Sequence, residues 1–220
     1  MKIALCLYGQ PRNFDKTFSK FNEHFFSKYD TDVFFHLWWD KEEEGKKQEA
    51  THSEGDFTIK ENANIEILNL YKPKSYIFEK FIPFIPKKEY LSPFSKKEIA
   101  YQSTCGRFLS TKKVLLLLEE YKKIYDFIIL TRTDLLINSL PEFSTLNKDK
   151  IYSKYTKEDF IWIMNMNHVN LFKNMFDNLD NLYDETKEFY PESFFKCWFK
   201  MNNIEENIIG HPEISVGIIR

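Results

Sequence analysis

The sequence has few cysteines. Cys6, Cys105 and Cys197 are odd in number, far apart and never arranged as Cys-x-x-Cys. This pattern argues against a disulfide framework and against a cysteine-based zinc site, and it is typical of a reducing compartment. We therefore expect a cytoplasmic protein.

The sequence also has few glycines, and its six do not form any of the common glycine-dependent motifs. There is no G-x-G-x-x-G after the first apolar run, no G-x-x-x-x-G-K-[ST] and no G-x-S-x-G. The zinc-protease motif H-E-x-x-H is missing as well. The usual dinucleotide, P-loop, hydrolase and zinc-protease mechanisms therefore lack their loops and ligands.

A strong net charge and a long apolar run are lacking too. The chain has 31 basic and 33 acidic residues, so no global field attracts nucleic acid or an anionic membrane. The first apolar run, residues 1–9, is too short for a secretory signal or a bilayer span. We expect no nucleic-acid partner, no transmembrane segment and at most peripheral membrane association.

What the sequence does contain is an alternation of strand and helix patterns. With 220 residues, 43% of them hydrophobic, one domain over 1–220 is expected, which could be part of a longer polypeptide. Apolar runs predict strands at 1–9, 31–39, 74–81, 126–137, 159–165 and 213–220. Helical spacing predicts helices at 14–29, 96–124, 168–182 and 191–202. This order predicts an α/β fold with a mostly parallel central sheet flanked by helices.

Three features interrupt these patterns. Residues 40–58 are charged and nearly devoid of large apolar groups, which predicts a mobile surface loop that contributes nothing to a core. Residues 82–94 contain three prolines and predict an irregular segment. Gly106 is expected to weaken the middle of the longest helix, with a division into two helices as an open alternative.

Ligands of open parallel sheets bind beyond the carboxyl ends of the strands, so we examined the residues that follow each strand. After the first strand, Gly9 allows a ligand to approach the backbone, and Arg12 offers a planar guanidinium suited to phosphate oxygens. A helix that begins near Phe14 points its N-terminal dipole at the same place. The pattern favours a diphosphate site, with a simple turn and a solvated arginine as the alternative.

The stretch "DFIILTRTDLLI", residues 126–137, places two charges at the end of an otherwise apolar strand. Arg132 and Asp134 could form a buried structural ion pair, which costs desolvation. Asp134 could equally bind a divalent cation that bridges to a diphosphate.

Within the second strand, His36 is interpreted as a hydrogen-bonded core residue, and Trp38 and Trp39 as packing residues.

Four stretches then carry a resemblance: "ALCLYGQPRNF", "TDVFFHLWW", "YQSTCGRFLSTKKV" and "YDFIILTRTDLLI". In that order and spacing the chain resembles the GT-A type of glycosyltransferase, and more closely small bacterial and viral members that build capsule, lipopolysaccharide or capsid glycans. The resemblance covers most of the chain. It implies a nucleotide-diphospho-sugar transferase fold and an enzyme that moves a sugar from a nucleotide-sugar donor to a hydroxyl of a glycan or glycolipid acceptor.

The resemblance also implies roles for individual residues. The family's Asp-x-Asp motif corresponds to Arg-Thr-Asp here, so Asp134 would hold Mn²⁺ or Mg²⁺ against the diphosphate. Arg132 departs from the motif and would neutralise phosphate or pair with Asp134. Residues that would face the nucleotide or present polar groups to the donor are Tyr8, Gly9, Arg12, Gln102, Ser103, Arg107 and Lys113.

Inverting transfer requires a base beside the acceptor hydroxyl, whereas a retaining enzyme does not need this base. The candidates are Asp159, Glu192 and Glu213. We favour Glu192, at the start of a predicted helix, although an acid in the first turn also complements the helix dipole without any catalytic role.

Two other classes of function remain open. One is a non-catalytic domain that binds a nucleotide or a glycan, which the missing first aspartate of Asp-x-Asp favours. The other is a nucleotidyl- or phosphotransferase, which would need a second metal-binding carboxylate that the sequence does not locate.

Overall fold

The computed structural model describes residues 1–48, 57–156 and 160–219. Its strands are β1 Lys2–Gly9, β2 Asp30–Trp38, β3 Lys47–Gln48, β4 Phe57–Thr58, β5 Ser75–Glu79, β6 Phe127–Arg132, β7 Leu135–Ser139, β8 Ile151–Ser153, β9 Ile161–Met164, β10 Ile208–Gly210 and β11 Ser215–Ile218. Its α-helices are α1 Phe14–Phe21, α2 Ala63–Tyr71, α3 Lys97–Glu120, α4 Val169–Lys173, α5 Leu179–Thr186 and α6 Pro191–Met201. A π-helical segment covers Asn22–Phe26, and 3₁₀ turns cover Lys41–Glu43, Phe143–Thr145, Met166–His168, Phe176–Asn178 and Glu205–Asn207.

The central sheet has seven strands in the order β10-β8-β9-β6-β1-β2-β5. β1 lies between β6 and β2 and is parallel to both, and β2 is parallel to β5. β9 is antiparallel to β6 and to β8, while β10 is parallel to β8. The prediction of an α/β fold with a mostly parallel central sheet flanked by helices is therefore confirmed.

The two faces of the sheet support separate apolar clusters. Side chains alternate along each strand, so Phe34 of β2 belongs to one cluster and Phe35 to the other. Helices α3, α4, α5 and α6 cover the first face, and α1 and α2 cover the second. β1 is buried on both faces, as its continuous apolar run predicts.

The long helix α3 is not divided at Gly106. A Cβ atom on Gly106 would lie 2.7 Å from the Phe81 ring, and the Trp38 indole nitrogen donates a hydrogen bond to the Gly106 carbonyl at 3.0 Å. The glycine therefore marks a close approach of two aromatic side chains to the helix backbone, and its helix-weakening effect is overridden by this packing.

The predicted strand over 126–137 is in fact two strands. β6 ends at Arg132, the chain turns at Thr133 and Asp134, and β7 pairs antiparallel with β11 in a separate two-stranded sheet. The last predicted strand therefore lies outside the central sheet.

Two predicted helices also differ from the structure in their course. The pattern over 168–182 is split by a 3₁₀ turn into α4 and α5. The pattern over 14–29 forms α1 and then continues as the π-helical segment.

The stretch 40–58 is predicted to be a mobile surface loop; its described residues include the short strands β3 and β4, and residues 49–56 lie outside the described residues. β3 and β4 pair antiparallel, and Phe57 packs against the second apolar cluster. Phe57 therefore contributes to a core that the composition of this stretch does not predict. The irregular segment predicted over 82–94 is confirmed.

No helix within the described ranges combines the length and the apolar character that crossing a bilayer requires.

Candidate functional site

A cleft of about 400 Å³ opens at the carboxyl ends of β1, β2 and β6. Its walls come from the turn after β1, the N-terminal half of α3, the start of α6 and the end of β11. Both the position, at the carboxyl edge of parallel strands, and the volume are those of a small-molecule site.

Most of the site residues predicted from the sequence line this one cleft. They are Tyr8, Gly9, Arg12, Gln102, Ser103, Arg107, Arg132, Asp134 and Glu192. Lys113 and Glu213 do not contribute to its lining. Asp159 lies outside the described residues, so its role as a base remains a prediction.

Asp134 is bound by two guanidinium groups. Arg132 donates from Nε to Oδ1 at 2.9 Å and from a terminal nitrogen to Oδ2 at 2.7 Å, and a terminal nitrogen of Arg12 lies 3.1 Å from Oδ2. Burial alone would raise the pKa of Asp134, but the charges of Arg132 and Arg12 hold this pKa below its usual value. The carboxylate is therefore ionised, and both of its oxygens are occupied.

This donor set does not fit a divalent cation. Mn²⁺ and Mg²⁺ can be held by one or two carboxylates together with waters and ligand phosphates, but both oxygens of Asp134 already accept hydrogen bonds from arginine. Among the residues the structure describes, no three His, Cys, Asp or Glu side chains come together in a metal-binding group. Of the two interpretations of Arg132 and Asp134, the observed contacts are those of a buried ion pair.

The turn after β1 positions Arg12. Gly9 has a φ of 102°, a conformation that side-chain-bearing residues rarely adopt, and its backbone N–H donates to Ser110 Oγ at 2.9 Å. Thr133 Oγ1 donates to the Gln10 carbonyl at 2.8 Å, which ties this turn to the turn after β6. Arg12 then lies with its guanidinium 4.3 Å from the centre of the Phe57 ring.

Arg107 adds a third guanidinium from α3. Burial lowers its pKa, the neighbouring Tyr8 opposes that change, and the charges of Arg132, Glu192 and Asp134 also act on it. Burial raises the pKa of Tyr8 in turn, opposed by Arg107 and Arg132. Three arginines therefore meet two carboxylates in one cleft, which makes it suited to an anionic ligand.

Glu192 lies in the first turn of α6, directly after Pro191. Its Oε2 atom is buried and accepts no hydrogen bond from the described residues. Burial, together with the charge of Glu192, raises the pKa of the adjacent Tyr190 to about 12. Glu192 as a residue lines the cleft, which is where a general base would have to lie.

Aromatic side chains form much of the remaining wall. Trp38 and Phe81 meet edge to face with ring centres 5.4 Å apart, and Phe94 and Tyr190 do so at the same distance. The packing role predicted for Trp38 holds, but the side chain also lines the cleft. Flat apolar surfaces of this kind can hold a nucleobase or a sugar ring.

Gln102 holds the irregular segment against α3. Its side-chain amide donates to the Phe84 carbonyl at 2.9 Å and accepts from the Phe84 backbone N–H at 2.7 Å. Both polar atoms of the amide are thus used within the protein, and donor binding by Gln102 remains a prediction.

His36 is fully buried below the cleft, as the sequence predicts for a core histidine. Its Nδ1 lies 2.8 Å from Ser110 Oγ and its Nε2 lies 3.2 Å from a carboxylate oxygen of Glu79, which also pairs with Lys113. Although Ser, His and Glu follow one another here, Ser110 is buried and donates to the His36 carbonyl, so it cannot act as a nucleophile. Ser110 Oγ also accepts a hydrogen bond from the Gly9 backbone N–H, so this buried cluster of Ser110, His36 and Glu79 holds the end of β1 in place.

Sequence reasoning missed several residues of the cleft, among them Phe81, Phe94, Tyr190, Ile218 and Ile219. Phe81, Ile218 and Ile219 belong to stretches predicted as strands, and Phe94 and Tyr190 lie in irregular segments, so nothing in either pattern marks them as site residues. The one available signal was that Phe81 and Phe94 flank the proline-rich segment.

No protein-family model matches the chain, and no curated protein matches it at a significant level.

Proposed function

We propose that this protein is a glycosyltransferase with a GT-A-like fold, which transfers a sugar from a nucleotide-sugar donor to a hydroxyl of a glycan or glycolipid acceptor. The observation that carries the proposal is the convergence of Arg12, Arg107 and Arg132 in a cleft at the carboxyl edge of parallel strands. Guanidinium groups match the oxygens of a diphosphate in charge and geometry.

In this proposal the arginines bind the diphosphate of the donor, and the aromatic walls hold its nucleoside or its sugar. When the bond between the anomeric carbon and the phosphate oxygen breaks, negative charge develops on the leaving diphosphate. Fixed guanidinium groups stabilise that charge more in the transition state than in the ground state, which is the main source of acceleration.

Glu192 is proposed as the general base for an inverting reaction. The acceptor oxygen forms the new bond to the anomeric carbon, its proton passes to Glu192, and the nucleoside diphosphate departs with the bonding electron pair. The support is the position of Glu192 in the lining of the cleft. Placement within hydrogen-bond reach of the acceptor hydroxyl is what this role requires.

The experiment is a turnover assay. UDP-, GDP-, CMP- and dTDP-sugars are each incubated with a mixture of bacterial surface glycans, and release of the nucleotide is measured. We expect release from one of the three diphosphate donor classes and none from the CMP-sugars, which carry a single phosphate, and a reduction of about 100-fold or more in Glu192→Gln. The matched control is Glu213→Gln, since Glu213 is exposed and lies outside the cleft.

If a nucleotide sugar binds but neither transfer nor hydrolysis occurs with any acceptor, the protein is instead a non-catalytic nucleotide-binding domain. Equal turnover in the wild type and in Glu192→Gln would remove Glu192 as the base and leave either Asp159 as the base or a retaining reaction.

A further inference from the structure

We propose that the cleft binds a diphosphate without a divalent cation, and that Asp134 is the resting counter-ion from which the phosphate displaces Arg12. The inference rests on the proposed function in taking a diphosphate as the ligand. In this inference Arg132 and Arg12 neutralise the charge of the diphosphate, which a metal ion would otherwise do.

The two arginines hold Asp134 unequally. Arg132 makes two hydrogen bonds to the carboxylate, from a position two residues away on the same turn, and its side chain is 10% exposed. Arg12 makes a single contact of 3.1 Å, and its side chain is 21% exposed. Arg12 is therefore the partner that can leave Asp134 at the lower cost.

Arg12 also keeps a second contact when its guanidinium releases Asp134. Its guanidinium lies over the Phe57 ring at 4.3 Å, a contact that does not depend on the carboxylate. A phosphate oxygen that replaces the Asp134 oxygen gives Arg12 a new charge-assisted hydrogen bond while the stacking on Phe57 persists.

The charges of the cleft favour this exchange. Asp134 carries one negative charge and is bound by two guanidiniums, and Arg107 lies within the electrostatic reach of both Arg132 and Asp134. A diphosphate is a ligand whose oxygens these guanidiniums can bind through charge-assisted hydrogen bonds. A divalent cation would add positive charge to the cleft and would have to displace two guanidiniums from Asp134 first.

The test is a calorimetric titration of the full chain with inorganic pyrophosphate, in EDTA and again in Mn²⁺. We expect binding in EDTA, with a dissociation constant that Mn²⁺ does not tighten by more than about twofold. Arg12→Gln should weaken binding about tenfold or more, as the loss of one charge-assisted hydrogen bond requires. The control, Lys20→Gln, removes an exposed charge that pairs with Glu23 and should change nothing.

Asp134→Asn is expected to change the affinity for pyrophosphate in opposite directions, depending on whether Asp134 is a counter-ion or a metal ligand. If Asp134 is a counter-ion that competes with phosphate, the variant binds pyrophosphate at least as tightly as the wild type; a metal ligand would instead lose binding. Binding that requires Mn²⁺, or no pyrophosphate binding at all, overturns the inference. Binding in EDTA without turnover of any nucleotide sugar preserves the inference and removes the proposed function, while turnover that depends on Mn²⁺ does the reverse.

Discussion

At the scale of single residues, the charges after β6 are stable because they are paired. Arg132 ends a strand in which every residue is buried, Asp134 lies two residues further on, and an unpaired charge there would carry a large desolvation cost. The bidentate contact between the two side chains reduces that cost, and Arg12 adds a further contact to the carboxylate from another turn. The ion pair is thus tolerable at this position because the strand ends at a polar cleft.

The unequal contacts of the two arginines predict unequal stability losses. Arg132→Gln should lower the free energy of unfolding by about 3 kcal/mol, because it breaks the buried bidentate pair. Arg12→Gln should lower it by less, about 1 to 2 kcal/mol, since its contact with Asp134 is single and partly exposed and the stacking on Phe57 adds to the loss. Urea unfolding measures both values, and an equal loss, or a larger loss for Arg12→Gln, would contradict the asymmetry that we infer.

His36 predicts a pH dependence of stability. Burial lowers the pKa of His36 from 6.5 to about 4, so the folded protein keeps it neutral where the unfolded chain is protonated. The unfolded state therefore binds more protons between about pH 6.5 and 4, and the free energy of unfolding falls by up to about 3 kcal/mol as the pH drops through that window. Below about pH 4 this group adds no further loss.

The measurement is urea unfolding at several pH values for the wild type and for His36→Gln. The variant should show a flatter profile between pH 6.5 and 4, whereas His211→Gln, outside the buried network, should keep the wild-type slope. A slope that is unchanged in His36→Gln would show that other groups produce it.

The site residues that the sequence could predict share one property. Arg12, Arg132 and Asp134 are polar groups at or just beyond the carboxyl ends of apolar strands, and parallel topology then brings those strand ends together. Tyr190 and Phe94 could not be predicted, because their place in the cleft depends on how irregular segments fold back over α3.

At the scale of elements, α3 connects the fold to the cleft. Its buried face packs on β1 and β2, and its N-terminal half lines the cleft with Arg107 and Gly106. The close approach of Phe81 and Trp38 to Gly106 fixes the aromatic wall relative to the arginines.

Gly106→Ala tests this arrangement. In an isolated helix the change would stabilise by about 1 kcal/mol, but here the new methyl group must displace the Phe81 ring, which would lie only 2.7 Å away. We expect ligand affinity to fall about tenfold while the melting temperature does not rise. Leu116→Ala, on the exposed face of the same helix, is the control that should leave affinity unchanged. A Gly106→Ala variant that is both more stable and unchanged in affinity would contradict the packing.

The elements that sequence patterns missed are mostly short. β8 and β10 have three residues each, too few for a period to be visible, and they form only because β9 and β8 are there to pair with them. α2 was missed although Ala63, Ile67 and Tyr71 recur at a four-residue spacing, since residues 59–73, between the predicted loop and the next predicted strand, were assigned to no element.

At the scale of the whole molecule, one sheet separates two apolar clusters. The antiparallel direction of β9 and the separate pairing of β7 with β11 could not be predicted, since apolar strands carry no signal of direction. The parallel arrangement of β1, β2 and β6, in contrast, could be predicted, because helices connect these strands.

Because β2 contributes to both clusters, we expect the described core to unfold as one unit. Phe34→Ala and Phe35→Ala should each lower the free energy of unfolding by about 3 to 5 kcal/mol. Both variants should still unfold in a single transition by fluorescence and circular dichroism. Two separate transitions, each sensitive to only one variant, would show that the clusters are independent domains.

The most direct test of the central claim is the melting temperature of the wild-type protein with UDP-, GDP-, CMP- and dTDP-sugars, each in EDTA and in Mn²⁺. A donor at about 100 times its dissociation constant adds about 2.7 kcal/mol, or roughly 5 to 10 °C for a chain of this size. We predict such a rise with one nucleotide class, of the same size in EDTA and in Mn²⁺, and a smaller one in Arg107→Gln. No rise with any of the donors would contradict the assignment of the cleft to a nucleotide sugar.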